Sequence, residues 1–462
     1  MINIKDLRSY LSLLEKEPPG VFIKIRREVS SKHVLTAVVK KLADSGRDPV
    51  VLFENVAESS HQVLTNVFAN RRAVALALDT TPENLLPEYL KRLDRPIPPE
   101  MTREAPVKEV VLRGNAADLT ALPVPIHHKD DAGPYITCGT CITRNLDGKT
   151  VNLGMYRFMV AGPRDGGMFI NPMHHGGELL RQAEKENRPL EMAVVIGGWP
   201  TLALASQNNE PIGTDDYALA GGLAGRPLRL VESETLAFPV PADAEIVIEG
   251  EIRPGERREE GPFGEYTGFY GMQRQSPVFR VRAISHRNDY IFHSVVPAGK
   301  EHVGLWVMPS KEANLYKKIK AVFPTVKEVR LPLNGVGYHA YVRIEKVRNG
   351  DGRNVLLALL GGEFMVKHAI VVDEDINIQN DDEVLWAVAN LVQADQDIFV
   401  VPRARSSVLD PSSYGLDALF TGEGMVTKMG IDATRPVGVE FPKRVAVSAE
   451  AWDQVDLDEL LG

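Results

Sequence analysis

Cysteine and long apolar runs are what this sequence of 462 residues has least of. Cys138 and Cys141 are its two cysteines, too few for a disulfide framework in a chain of this length. Their CxxC spacing has no second pair beside it, and the surrounding Ile, Thr and Tyr residues favour a packed strand over a redox or metal site. No apolar run of about 18 residues occurs, and charges stand near the start where a signal peptide would be apolar. We therefore expect a cytoplasmic protein with no insertion into a membrane.

An excess of basic residues is also missing. Lys and Arg number 53 against 62 Asp and Glu, which gives a net charge of −9, and no basic run interleaves with aromatic residues. This argues against nucleic acid or an anionic membrane surface as the main partner. The hydrophobic share of 44% is typical of globular proteins, and the length predicts two or three domains.

The hydrophobic periodicity changes twice along the chain, which predicts a mixed α+β protein of three domains. Residues 1–110 alternate helical and strand patterns, as an α/β domain does, and end in a proline-rich linker. Residues 111–305 are mostly short, closely spaced strands with few helices, which indicates a β-barrel. Residues 306–462 return to an α/β pattern, with a strand predicted at Val355–Leu360 and an amphipathic arm, a terminal helix over 449–461. Either a partner subunit or its own domain can bury the apolar face of that arm.

The stretch from Glu259 to Gly268, Glu-Glu-Gly-Pro-Phe-Gly-Glu-Tyr-Thr-Gly, places two carboxylates on either side of a turn. Gly261 and Gly264 permit backbone angles that other residues avoid, so the turn can hold Glu260 and Glu265 at defined positions. Paired carboxylates in different environments carry out proton transfer. A solvated acidic turn is the ordinary alternative.

Three motifs upstream carry further polar groups: Asn152 on a strand pattern, His174 before two glycines, and Asp216 before a helix. Taken singly, they are typical of a strand end, a turn and a helix N-cap. Taken together, they offer an amide oxygen, an imidazole and a carboxylate. That mixed set suits Mn²⁺ or a similar cation that also binds phosphate, whereas zinc prefers sulfur or several histidines.

The order of these motifs is similar to that of UbiD-type decarboxylases, the prenylated-flavin enzymes that include ferulic acid decarboxylase and the ubiquinone-pathway carboxy-lyase. The resemblance rests on Asn-x4-Arg, His-x-Gly-Gly, acid-Tyr-Ala-x-Ala-Gly, Glu-Gly-Pro-Phe-Gly-Glu-x-Thr-Gly and Lys-Met-Gly-Ile-Asp-Ala-Thr, the last at 428–434. It extends from near residue 1 to near 440. It implies that the central domain is a split β-barrel that binds flavin.

The resemblance also implies roles for individual residues. The manganese ligands would be Asn152, His174 and Asp216; the family usually has Glu at the last position, and Asp215 is the alternative. The proton network would be Arg157, Glu260 and Glu265, with Glu265 as the proton donor. The residues that contact the cofactor would be Asn152, Leu153, Met155, Tyr156, Arg157, Met173, His174, Ala205, Ser206, Asp216 and Lys367.

The implied activity is reversible, non-oxidative decarboxylation of an aromatic, heteroaromatic or α,β-unsaturated carboxylic acid. The implied cofactors are prenylated FMN and Mn²⁺, with room for K⁺ or Na⁺, and a flavin prenyltransferase would supply the flavin. CO₂ is the second product, and a homodimer or homohexamer is expected. Two alternatives stay open: an ordinary flavin reductase or oxidase on the same barrel, and a non-catalytic flavin-binding subunit. No arginine follows His302 in the 303–308 stretch, which ranks dicarboxylate substrates lower.

Overall fold

The structure is a computed structural model that describes residues 6–208, 210–413, 424–456 and 460. The helices of the described part are α1 (Leu7–Leu14), α2 (Val34–Asp44), α3 (Arg71–Ala77), α4 (Leu85–Leu93), α5 (His175–Lys185), α6 (Pro200–Ala205), α7 (Asp216–Ala224), α8 (Lys300–Trp306), α9 (Glu312–Val322), α10 (Asp351–Gly362), α11 (Asp381–Leu391), α12 (Ala394–Asp397) and α13 (Ala449–Asp453).

The strands fall into three larger sheets and two small ones. They are β1 (Phe22–Ile25), β2 (Val50–Phe53), β3 (Gln62–Thr65), β4 (Glu100–Met101), β5 (Val110–Arg113), β6 (Tyr135–Ile136), β7 (Thr140–Arg144), β8 (Val151–Met155), β9 (Phe158–Val160), β10 (Asp165–Met168), β11 (Leu190–Ile196), β12 (Arg229–Val231), β13 (Val240–Pro241), β14 (Ile246–Glu260), β15 (Phe263–Gly264), β16 (Tyr270–Gly271), β17 (Arg274–His286), β18 (Ile291–His293), β19 (Val326–Arg330), β20 (His339–Ile344), β21 (His368–Asp373), β22 (Ile398–Ser406) and β23 (Gly424–Ala433).

The N-terminal region is a four-stranded sheet in the order β1-β2-β3-β18. Helix α1 begins with a capping box made by Asp6 and Ser9 and buries one face, which includes Tyr10. The Tyr10 hydroxyl donates to the carbonyl of Ala73, 2.9 Å away, and so ties α1 to α3. Strand β18 pairs in parallel with β3, so the chain returns to this sheet after completing the central region.

The central region is a nine-stranded sheet that curls into a half-barrel, which confirms the predicted mixed fold with a split barrel. Its path runs β6-β9-β10-β17-β14-β11-β7-β8, and β5 joins at β17. The two longest strands, β14 and β17, pair antiparallel along most of their length. The first residues of β14 are buried, and the strand then alternates between exposed and half-buried positions until it ends at the buried Glu260. The long strand therefore delivers a carboxylate into the protein at its last residue.

The C-terminal region is a five-stranded sheet in the order β19-β20-β21-β23-β22. The strand predicted at Val355–Leu360 is wrong, because these residues lie in α10. Val355, Leu356, Leu359 and Leu360 are buried, and this spacing is one face of a helix. A run of six mostly apolar residues fits a buried strand and a buried helix equally well, so the sequence pattern alone could not exclude the helix.

The predicted terminal arm is only partly helical in the described residues. Helix α13 is five residues long, and Trp452 within it is 71% exposed. Residues 457–459 and 461 of the predicted helix lie outside the described residues. The large apolar side chains of the described part of the arm, Trp452, Val455 and Leu460, are each more than half exposed.

Cys138 and Cys141 are free and buried, as the packed-strand prediction requires. Cys141 lies in β7, and the sulfur of Cys138 is 3.5 Å from Nδ1 of His293. In the described ranges, no helix is both long and apolar enough to cross a membrane.

Candidate active site

Arg157 and the two predicted acids meet in one network. Arg157 lies in the short link between β8 and β9. Its Nε and Nη2 donate to the two oxygens of Glu260 at 2.8 and 3.0 Å, and its Nη1 donates to Oε1 of Glu265. All three side chains are almost completely buried. The bidentate pairing fixes both the distance and the plane of the Glu260 carboxylate.

Two aromatic rings hold the guanidinium of Arg157 between them. Its central carbon lies 4.7 Å from the ring centre of Phe169 and 4.8 Å from that of Phe263. Burial acts to lower the Arg157 pKa, but the charges and hydrogen bonds of Glu265 and Glu260 outweigh it and raise that pKa. Arg157 therefore stays positively charged in a site with little water.

The two carboxylates differ in how many donors they receive. Glu260 accepts from Arg157 twice, from the hydroxyl of Tyr135 at 3.1 Å and from the hydroxyl of Ser276 at 3.4 Å. Among the described residues, the side chain of Glu265 receives one hydrogen bond, from Arg157 to Oε1. Its Oε2 is therefore the carboxylate oxygen of the network with room for a proton. Neither Tyr135 nor Ser276 was predicted as part of the site. The available signal was Tyr135 in a strand pattern, because a buried tyrosine needs a hydrogen-bond partner for its hydroxyl.

The turn between the acids requires its glycines. Gly261 has φ of +89°, a conformation that strains other residues. A Cβ on Gly264 would lie 2.7 Å from Nδ1 of the His128 ring. The predicted shaped loop is therefore present, and it packs against a second loop that contains His128.

This second loop, residues 127–132, is a strap over the turn that sequence reasoning missed. Asp131 accepts from the backbone N–H of Gly264 at 3.0 Å and from that of His128 at 2.8 Å. The N–H of Ala132 donates to the carbonyl of Pro262 at 2.9 Å. Burial acts to raise the Asp131 pKa, but these hydrogen bonds and His128 lower it overall. Asp131 thus holds the residue that directly precedes Glu265.

Asn152 and Asp216 form a second group of polar residues at β8. Asn152 is buried within that strand, and Asp216 begins α7. Oδ2 of Asp216 accepts from the N–H of Leu153 at 2.8 Å, which brings the two predicted ligands to neighbouring positions. Burial raises the pKa of Asp216 to about 7, and Asp215 adds to the effect. Asp215 instead caps α7, accepting from the N–H of Tyr217 at 3.2 Å.

Tyr156 links this group to the start of α5. Its hydroxyl is hydrogen-bonded by the Asn152 side chain and by the backbone N–H of Gly176. His174 precedes α5, makes no capping bond and is exposed, as is Met173. Although the residue reaches solvent, partial desolvation of its ring, together with His175 and Lys311, lowers the pKa of His174 and favours the neutral form that ligates metals.

The remaining predicted contact residues are spread more widely. Leu153 is buried in β8 and Met155 is half-buried at its end, while Ala205 and Ser206 are buried at the end of α6. Lys367 lies in the C-terminal region, where its Nζ is 2.9 Å from Oδ2 of Asp410. Lys311 was missed: its charge acts on His174, and its Nζ pairs with Glu363 at 2.8 Å.

The predicted manganese ligands can be compared with what a cation needs. The described part of the chain has no cluster of three His, Cys, Asp or Glu side chains that could hold a metal. The predicted set contains one amide, one imidazole and one carboxylate, so it is not a cluster of that kind. No cationic side chain pairs with Asp216 in the described ranges. A buried carboxylate without a counter-charge is costly, and a bound cation would supply one, so the residues fit the group.

Known proteins resemble this chain over nearly its whole length. Profiles for the N-terminal, Rift-related and C-terminal domains of 3-octaprenyl-4-hydroxybenzoate carboxy-lyase match residues 13–93, 100–300 and 306–433. Anhydromevalonate phosphate decarboxylase of Methanothermobacter thermautotrophicus is 33% identical over 458 residues, which cover 98% of this chain and all of that protein. The chain belongs to the UbiD family. As a UbiD-family protein it is a decarboxylase.

Two solved structures agree with this membership. The UbiD-class enzyme HmfF from Pelotomaculum thermopropionicum, in complex with FMN, has a TM-score of 0.91 and 38% identity, covering 98% of this chain and 99% of that one. An evolved dimeric form of HmfF, in complex with prenylated FMN, has a TM-score of 0.86 and 35% identity, covering 99% of this chain and all of that one.

Proposed function

We propose that this UbiD-family protein is a prenylated-FMN-dependent decarboxylase of an aromatic, heteroaromatic or α,β-unsaturated monocarboxylic acid. The observation that carries the proposal is the unequal hydrogen bonding of the two acids around Arg157. Within the described ranges, Glu260 is fully occupied as an acceptor, whereas Glu265 has one oxygen without a hydrogen bond. Glu260 therefore keeps Arg157 in place, and Glu265 delivers the proton.

The cofactor is needed because loss of CO₂ from an sp² carbon leaves a carbanion that no ordinary side chain stabilises. Prenylated FMN supplies the electron sink when it is bound. Residues 152–157, 173–174 and 205–206 are the proposed contacts, and Lys311 joins Lys367 as a candidate for the phosphate. The neighbours that contain FMN and prenylated FMN support this proposal.

Asn152, His174 and Asp216 are the proposed ligands of Mn²⁺, which would hold the cofactor phosphate. The support is the buried charge of Asp216 beside Leu153 and the neutral state favoured for His174. Three further expectations stay predictions: a bound monovalent cation, a homodimer or homohexamer, and a cytoplasmic location.

His302 offers one specific contact for the substrate. Its ring faces Phe263 and Tyr266 at 6.4 and 6.1 Å between ring centres. The N–H of Ala298 donates to Nδ1 of His302 at 3.3 Å, so the proton of the neutral ring is on Nε2. Burial, Arg157 and His128 lower the His302 pKa to about 4, which keeps the ring neutral. Nε2–H is thus a donor for a ring substituent such as a phenol.

The test compares protein produced with and without a flavin prenyltransferase. Each preparation is incubated with a panel of monocarboxylic acids, and both CO₂ release and deuterium uptake into the decarboxylated product from D₂O are measured. We expect both preparations to fold and only the one with prenylated flavin to react. Full activity from protein that contains unmodified FMN alone would falsify the cofactor assignment. Turnover of NAD(P)H would instead support the flavin reductase alternative.

A further inference from the structure

A cavity of about 200 Å³ lies at the ends of α6 and α7 that are farthest from the proposed cofactor residues. It is lined by Trp199 and Leu202 at the start of α6 and by Ala220 and Ala224 in the second half of α7. Asp216 is eight residues before Ala224, which corresponds to about 12 Å along a helix. The cavity is therefore a different place from the group around β8.

The walls suit an apolar body of limited size. Trp199 and Leu202 are nearly completely buried, and the indole N–H of Trp199 is already used, donating to the carbonyl of Ala77 at 2.8 Å. An apolar cavity of about 150 Å³ accommodates benzene. This cavity therefore has space for one aromatic ring, or a short branched chain, with a small polar group attached.

Two arginines, Arg226 and Arg229, line the cavity, and they differ in whether an acidic side chain pairs with them. Arg229 is neutralised: its Nη1 donates to Asp243 at 2.9 Å and its Nη2 to the carbonyl of Glu104 at 2.9 Å. Arg226 has a buried Nε with no hydrogen-bond partner, and the described residues provide no acid paired with its guanidinium. A buried N–H donor without a hydrogen-bond acceptor destabilises the protein. A planar guanidinium matches a carboxylate in shape and charge, so a carboxylate would satisfy it. The lining contains two acids. Asp243 is held by Arg229, and Glu100 is exposed and pairs with no cationic side chain among the described residues, so neither occupies Arg226.

We propose that this cavity is a second binding site, for a small monocarboxylate with an aromatic or branched apolar body. The carboxylate pairs with Arg226, and the body packs against Trp199 and Leu202. Because the other ends of α6 and α7 carry Ser206 and Asp216, a ligand in the cavity also changes the affinity of the flavin site. This regulatory step rests on the proposed function, whereas binding in the cavity does not.

Binding is tested with benzoate on the flavin-free full-length chain, by calorimetry and by tryptophan fluorescence. We expect one site for benzoate in the wild type and at least about tenfold weaker binding in Arg226→Gln, since a charged partner is lost. Arg27→Gln, which removes an exposed arginine elsewhere, changes the net charge equally and should bind as the wild type does. Benzyl alcohol, which has the same ring without the carboxylate, should not distinguish Arg226→Gln from the wild type.

A second variant tests the cavity itself without changing charge. Ala224→Leu fills the space beside Arg226 and should also abolish benzoate binding, while melting temperature and circular dichroism show that it folds. Amide hydrogen exchange of the wild type should slow in 200–206 and 216–224 when benzoate is added. Undiminished binding in both Arg226→Gln and Ala224→Leu would overturn the site, because benzoate would then bind elsewhere on the chain.

The regulatory step has its own measurement. The affinity for plain FMN is determined by flavin fluorescence with and without saturating benzoate. At least a twofold change is expected in the wild type and none in Arg226→Gln. An unchanged FMN affinity in the wild type, with benzoate bound, would overturn the regulation and leave the binding site standing. Absence of decarboxylase activity, by contrast, would contradict only the proposed function.

Discussion

Two groups of residues near β8, which we call the assembled side and the incomplete side of the site, differ in how completely this chain satisfies their charges. On one side, Arg157, Glu260 and Glu265 form an assembled network in which each charge has a partner. On the incomplete side, the buried Asp216 has no cationic side chain paired with it in the described part of the chain, and His174 is exposed. A network that needs no reorganisation is what proton transfer requires, since its donors are in place before the reaction. The incomplete side is what a binding site for a charged ligand requires.

The comparison predicts that the assembled side controls the rate and the incomplete side controls cofactor content. Variants that change one property and leave the other intact test this division.

Glu265→Gln should have the largest effect. The amide keeps the size of the side chain and an acceptor for Arg157 but cannot deliver a proton, and loss of a positioned general acid costs about 10²–10⁴-fold in rate. Flavin and metal should stay bound. In D₂O, exchange into the decarboxylated product should occur with the wild type and stop with the variant.

Glu259→Gln is the matched control, because Glu259 is exposed and bonds only to Gln273 among the described residues. Its rate should equal that of the wild type. Glu260→Gln should exchange more than Glu265→Gln does if Glu260 mainly orients Arg157. Turnover of Glu265→Gln within a few-fold of wild type, with cofactor bound, would mean that the proton comes from another group.

Asp216→Asn should separate the two sides in the opposite direction. Removal of the buried charge should lower Mn²⁺ affinity by more than about tenfold and lower flavin content with it. The Arg157 network should remain, because its hydrogen bonds do not include Asp216. Elemental analysis and flavin absorbance after gel filtration measure both contents.

Asp215→Asn serves as the control, since Asn also caps helices well. It should keep wild-type metal content. Equal manganese in wild type and Asp216→Asn would contradict the ligand assignment, and a selective loss in Asp215→Asn would transfer the role to Asp215.

Asp131→Asn tests whether the strap positions Glu265. The amide at 131 can present an N–H toward the N–H of Gly264, so the turn should shift, and small misplacements of reacting groups reduce rates strongly. We expect kcat to fall by about tenfold, with KM and flavin content unchanged. A fall in flavin content of the same size would show that Asp131 supports the fold rather than the acid.

The sequence predicted the charged centre better than its supports. Arg157, Glu260 and Glu265 were predicted as one network because the ordered motifs of a known family carried them. Asp131 was missed because its partner Gly264 is 133 residues away, and no local pattern reports such a contact. Tyr135 was missed for the same reason, since its partner Glu260 is 125 residues away.

The fold was predicted where the periodicity was long and missed where it was short. The amphipathic α1 and the strand-rich centre have clear patterns, and both are present. The strand predicted at Val355–Leu360 is a helical face of α10, because tertiary packing decides the conformation of short apolar runs. The order of strands in the half-barrel depends on pairing between distant segments, which the periodicity of one strand does not encode.

The smallest expected effect is on stability, and it concerns His127 at the start of the strap. His127 is buried, with Nδ1 2.8 Å from the hydroxyl of Thr36 and Nε2 3.2 Å from that of Ser294. Burial lowers its pKa to about 3; His128 and His302 act in the same direction, and Asp131 acts against them. The unfolded chain, with a histidine pKa near 6.5, binds more protons below that pH than the folded chain does.

The free energy of unfolding should therefore fall as the pH is lowered from about 6.5 towards 3, by at most about 1.4 kcal/mol per pH unit for this one histidine. In His127→Gln, denaturant unfolding at pH 7, 6 and 5 should show a shallower pH dependence than in the wild type. An unchanged slope in His127→Gln would show that His127 does not anchor the strap through its neutral form. A shallower slope would support a neutral His127 as an anchor of the strap that holds the turn before Glu265.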